Sequence, residues 1–141
     1  MRRTKLLGAL LTVLLVLSAC TGGAERAEKI EPMTKEAVEG TELYRLTLTP
    51  RAVERLDVQT AEVGSEASRL VMPYGALIYD LYGDTWTYVN PEPRVYVREP
   101  VVIDHIRDDG VVVLHDGPDV GTKVVSVAAA ELYGAETGIG K

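Results

Sequence analysis

The 141-residue chain contains one cysteine, two histidines and no phenylalanine. A lone cysteine excludes an intramolecular disulfide. The two histidines have no serine or cysteine nucleophile near them, so no catalytic triad emerges. There is no Gly-x-Ser-x-Gly elbow and no phosphate-binding loop. Positive charge is scarce too: 15 Lys and Arg stand against 21 Asp and Glu, a formal net charge of −6. That balance argues against nucleic-acid binding and against electrostatic attraction to anionic lipid. No apolar run reaches the ~20 residues that a membrane-spanning helix needs. We therefore expect no enzyme, no cofactor, no resident metal and no nucleic-acid partner.

The one cysteine sits at a particular place. Arg2, Arg3 and Lys5 give a positive flank, residues 6–17 are apolar except for Gly8 and Thr12, and Ser18-Ala19-Cys20 follows. This is the pattern of an export signal with small residues at the cleavage site. Leu17-Ser18-Ala19-Cys20 resembles the lipobox of bacterial lipoproteins. The resemblance implies a signal peptide over 1–19, a diacylglyceryl group on the Cys20 thiol and palmitate-type acyl chains. The chain would then sit on the extracytoplasmic face of the cell membrane, anchored by lipid. Each buried methylene contributes about 0.8 kcal/mol, so two or three chains hold firmly where one does not. Loss of Arg2, Arg3 and Lys5 with the signal moves the formal charge from −6 to −9, which leaves the anchor to covalent lipid. Residues 20–40 are rich in Gly, Glu and Lys, the composition of a solvated tether.

Residues 41–141 suffice for one domain with a modest core. Without phenylalanine that core must come from Val, Leu, Ile, Tyr and Trp86. Valine and tyrosine favour strands, and short apolar runs alternate with turn residues. The expected fold is all-β, a small barrel or sandwich-like antiparallel domain with one or two short helices. Residues 42–47 alternate as a half-buried strand. Thr49-Pro50 marks a helix start, with Thr as N-cap and Pro at the first helical position, and Ala52, Val53 and Leu56 give that helix its apolar face. Extended structure returns over 57–63, and 64–68 reads as a loop. Strands are expected over 76–80 and 85–89 around a hairpin with Gly83, and then, after a turn over 90–93, over 94–98 and 101–107. Pro100 suits an edge or a bulge. After the turn at Asp108-Asp109-Gly110, strands follow over 111–114 and 123–127. The tail AAAELYG predicts a helical turn ended by Gly134.

With the strands in order, VMPYGALIYDLYGDTWTYV (71–89) and VREPVVIDHIRDDGVVVLHDGPDVGTKVVSVAAAELYG (97–134) resemble the C-terminal, membrane-proximal domain of periplasmic adaptor subunits of efflux pumps, the membrane fusion protein (HlyD-like) family. LYRLTLTPRAVERLDVQTAEV (43–63) resembles the segment near the start of such adaptors. In that family both chain ends build the membrane-proximal domain, with lipoyl-like, helical-hairpin and barrel domains between them. Here only 64–70 separates the two matching stretches. The resemblance thus implies a free-standing membrane-proximal domain, an accessory to a transmembrane exporter that contacts a transporter subunit. A remnant without activity is the weaker form of the same reading.

Two side-chain groups invite a closer look. Asp104, His105 and His115 suggest an alternative, a small solute- or metal-binding lipoprotein. A two-residue turn at Asp109-Gly110, the commoner hairpin, would set His105 opposite Leu114 and the histidines on opposite faces. A three-residue loop over 108–110 would pair His105 with Val113 and put both on one face. Tyr79, Tyr82, Trp86, Tyr88 and Tyr96 serve either as cross-strand pairs or, on an outer face, as a partner-binding patch. Trp86 and Tyr88 share a face by alternation.

Overall fold

The computed structural model describes residues 31–138. The expected export signal, Cys20 and the first part of the expected tether lie outside them. Among the described residues no helix is long and apolar enough to cross a membrane.

The domain is antiparallel all-β and sandwich-like, with two short helices. One sheet runs β1-β2-β8-β7-β11-β3, and a short β6 pairs with β7 beside β11. Its strands are β1 (Met33–Ala37), β2 (Tyr44–Leu48), β3 (Gln59–Glu62), β6 (Ile78–Tyr79), β7 (Thr85–Glu92), β8 (Val95–Pro100) and β11 (Lys123–Val127). The second sheet runs β4-β5-β10-β9, from β4 (Gly64–Glu66), β5 (Arg69–Pro73), β10 (Val111–Asp116) and β9 (Val102–Ile106). Strand alternation splits the apolar residues of the larger sheet between two cores. Val89 of β7 and Val124 of β11 turn toward the smaller sheet and meet Met72, Val112 and Leu114. Their neighbours Tyr88 and Val125 turn the other way and meet Leu46, Tyr96 and the two helices.

Helix α1 (Pro50–Leu56) starts as its residues dictate: Thr49 accepts from the N–H of Ala52 through its side chain, and Pro50 opens the helix. Ala52 is buried, and Val53 and Leu56 pack beside it against the helix-side core. Helix α2 (Ala129–Thr137) buries Ala129, Leu132 and Glu136.

The structure differs from the sequence reading in several places, among them the turn expected over 90–93, where β7 runs on to Glu92. Residues 31–40, read as tether, include β1, which pairs with β2 from Met33↔Leu48 to Ala37↔Tyr44. An edge strand with one water-facing side needs little apolar content; here Met33 packs inward and the Lys35 ammonium lies 3.7 Å from the Tyr44 ring centroid. Residues 64–68, read as a loop, form β4 and a tight turn into β5, with Gly64↔Val71 and Glu66↔Arg69 in register. The turn residues Ala67 and Ser68 have φ of 47° and 66°, a conformation that usually signals itself by Asn-Gly. α2 runs through Gly134 to Gly138, whose φ is 75°, because Glu136 has buried partners beyond Gly134. Finally, Pro100 ends a strand that is internal to its sheet. It lies beyond the β2 pairing, which covers only Val95 to Val97, so no ladder bond is lost. There the chain crosses to the second sheet through buried Val101.

The Ala67-Ser68 turn yields a test. Left-handed backbone costs L-residues roughly 1–2 kcal/mol each, and Asn and Gly adopt it more readily. Ala67→Asn with Ser68→Gly raises the unfolding free energy by about 1 kcal/mol, measured by urea denaturation.

Candidate functional site

The aromatic residues divide by face. Tyr88 and Tyr96 are buried in the helix-side core, and Trp86 packs against it on the same face as Tyr88. Tyr79 and Tyr82 stay exposed. Where β7 and β8 run side by side, Tyr88 pairs directly with Arg98. The Arg98 guanidinium lies 4.4 Å from the Trp86 ring centroid and 5.4 Å from that of Tyr133 on α2. Both distances are within cation–π range. Arg98 Nη2 is 3.4 Å from Glu136 Oε1, and the Tyr88 hydroxyl donates to Glu136 Oε2. Lys35 of β1 donates to the Glu136 carbonyl. Strands β1, β7 and β8 thus converge on one turn of α2.

Glu136 is 2% exposed and the Arg98 side chain 12%, so this is a buried ionic group tying a helix to a sheet. Burial pushes the Tyr88 phenol far up; its hydrogen bond to Glu136 and that residue's negative charge add to the rise, and Arg98 offsets part of it. Below the unfolded value of 10.0 both states keep the proton and the stabilisation is whole. Above it the unfolded chain loses the proton first, and stability falls by about 1.4 kcal/mol per pH unit. Burial also raises Tyr96, in part opposed by Arg94, and adds a fall of the same sign. Tyr88→Phe therefore makes the alkaline fall shallower without abolishing it, as seen in urea midpoints between about pH 9 and 11.5.

Next to this network lies a groove of about 410 Å³ lined by Leu43, Leu81, Tyr82, Trp86 and Tyr133, with Glu42 and Asp80 as its carboxylates. A second cleft of about 560 Å³ opens across Trp86, between Asp84 and Val102. The β6–β7 hairpin divides them, in the register Ile78↔Trp86 and Tyr79↔Thr85. Gly83, with φ of 89°, closes its turn as the sequence implies.

The histidine group is arranged differently from a ligand set. The β9–β10 loop is the three-residue form: His105 pairs with Val113, and Gly110 takes a φ of 80°. His105 Nδ1 is 3.2 Å from Asp104 Oδ2. His115 Nδ1 is 2.9 Å from Arg69 Nη1 of β5, the strand that flanks β10 opposite His105's β9. Among the described residues no three His, Cys, Asp or Glu side chains gather to hold a metal ion. Arg107 bridges Glu66 at 2.6 Å and Asp109 at 2.9 Å on the same outer face. Its hydrogen bonds hold the Asp109 carboxyl below its ordinary value, against a smaller desolvation effect.

Sequence reasoning singled out Trp86, Tyr82 and Tyr88 but missed Arg98, Glu136 and Tyr133. A glutamate seven residues after the buried Ala129, in helical phase with Leu132, was the available signal. The fold and groove define a class, a two-sheet antiparallel domain with helices packed on one face. No protein-family model matches the chain, and no curated protein or solved structure matches it.

Proposed function

We propose that this chain is a non-catalytic, lipid-anchored interaction module of the efflux-adaptor type, held to the cell membrane through Cys20 and contacting a membrane transporter to support export. One observation carries the reading. Strands from the two stretches that resemble the adaptor's chain ends share one sheet, in which β2 and β3 flank β8, β7 and β11: β2 lies beside β8, and β3 beside β11. The family's membrane-proximal domain is likewise built from both ends. The break between the two stretches falls at the Ala67-Ser68 turn, where the family carries its intervening domains. That turn lies at the tip of β4 and β5, so an insertion there would leave the ladders of the larger sheet intact. The preceding lipobox-like segment adds the means of keeping such a module at the bilayer.

The test has two parts. Mass spectrometry of the native product should give an N-terminal Cys20 carrying acyl chains, and Cys20→Ala should release the protein from the membrane fraction. Mild cross-linking of tagged protein in source cells should then co-purify a polytopic transporter subunit. An intact signal with an unmodified thiol overturns the anchor. Repeated recovery of no transporter overturns the adaptor reading.

A further inference from the structure

Leu81 and Tyr82 are the two most exposed large apolar side chains among the described residues, at 78% and 92%. They are neighbours at the tip of the β6–β7 hairpin, and the tip is fixed. Asp80 Oδ1 accepts from the N–H groups of Tyr82 and Asp84, both at 2.9 Å, and Oδ2 accepts from the Trp86 indole at 3.1 Å. Desolvation raises the Asp80 carboxyl, but these three hydrogen bonds and the nearby Arg98 outweigh it, and its value falls below the ordinary one. The loop is thus braced around an ionised carboxylate. Leaving two large apolar side chains in water does nothing for folding. A braced tip loses little ordering entropy when something binds to it.

The charges say what that something is. Glu42 and Asp80 line the groove on one side of the tip, and Asp84 the cleft on the other. Among the described residues the one cation lining the groove, Arg98, is drawn over Trp86 and toward Glu136. Residues 74–86 contain no lysine or arginine. We infer that the β6–β7 tip and its groove are the docking surface for a polypeptide segment carrying an apolar side chain beside a lysine or arginine. The apolar group lies against Leu81 and Tyr82, while the cation is met on the groove side by Glu42 and the face of the Tyr82 ring, with Asp84 across the tip adding negative potential. This rests on the interaction-module reading and names the partner's chemistry. A bilayer fits the tip less well, because sinking Leu81 and Tyr82 to headgroup depth brings Asp80 and Asp84 to anionic phosphates. A second copy docking tip to tip would oppose like carboxylates.

The experiment places the photo-crosslinking residue p-benzoylphenylalanine at position 82 of the full chain in source cells, with position 120 as control. Val120 is 58% exposed and lies between β10 and β11. Adducts from position 82 should map by mass spectrometry to one membrane-protein segment with Lys or Arg within a few residues. Glu42→Lys with Asp84→Lys should cut their yield about fivefold or more, the effect of losing roughly one favourable charge pair, with an unchanged melting temperature. Adducts with lipid alone, with an acidic segment or with a second copy overturn the inference, as does a yield unmoved by charge reversal. If a transporter is captured from position 120 and not from 82, the docking surface is refuted while the interaction-module reading stands. Adducts from neither position count against both.

Discussion

Glu136→Leu is expected to lower the unfolding free energy by about 3–5 kcal/mol, read as a shift in urea midpoint at constant slope. Removing one partner of a buried ion pair leaves the other charge without compensation in a poorly solvated place. Here the stranded group is Arg98, whose Nε already has no hydrogen-bond partner among the described residues, and the Tyr88 hydroxyl loses its acceptor as well. Against a typical domain stability of about 5–15 kcal/mol, the loss is a large fraction. The double variant Arg98→Met with Glu136→Leu should recover most of it, because apolar residues of similar volume can replace a buried pair at little cost. A single-variant loss under about 1 kcal/mol would mean that water reaches Arg98 and that α2 is held by Leu132 and Ala129 alone.

Gly75→Ala is expected to cost about 3 kcal/mol, for a purely steric reason. Gly75 lies in the single 3-10 turn Tyr74–Ala76 between β5 and β6. A Cβ built there would stand 2.4 Å from the Ser126 carbonyl oxygen of β11. Backbone cannot swing aside as a side-chain tip can, so the turn must part from β11. Its neighbours Ala76 and Met72 belong to the inter-sheet core, and the strain is felt there. Gly83→Ala is the contrasting case. Its φ is 89° with nothing within 4 Å of the new Cβ, so only the left-handed backbone is penalised, by roughly 1–2 kcal/mol. Equal losses at the two positions would show that the Gly75 contact relaxes freely.

Local chemistry was legible in the sequence where one residue type has one use. Thr49-Pro50 gave a helix start, Gly83 a hairpin, and strands 111–114 and 123–127 lie inside β10 and β11. Where a residue type serves several ends, local reading stopped short. Gly134 has the look of a helix end, yet the buried contacts of Glu136 draw the helix past it. Ala67-Ser68 carries no turn signal, because the pairing of β4 with β5 imposes the backbone there. At 108–110 the commoner two-residue register was the expected one, and the structure takes the three-residue form instead. The candidate site was half visible. Trp86 and Tyr82 stood out by type, but Arg98 meets Glu136 across 38 residues and Tyr88 meets it across 48. Such distant pairs exist only once the sheet is assembled.

Strand β1 lies at the rim of its sheet, paired on one side only with β2, and is further held by Met33 against the helix-side core and by Lys35. Tension applied through residue 31 is therefore borne by β1 before it reaches either core. Peeling five residues would pay out about 17 Å of chain at strand rise, while Tyr88, Arg98 and Glu136 stay assembled behind it. With the proposed anchor at Cys20, a pull on the domain would reach this rim strand first, and loss of its pairing would lengthen the tether before either core is disturbed.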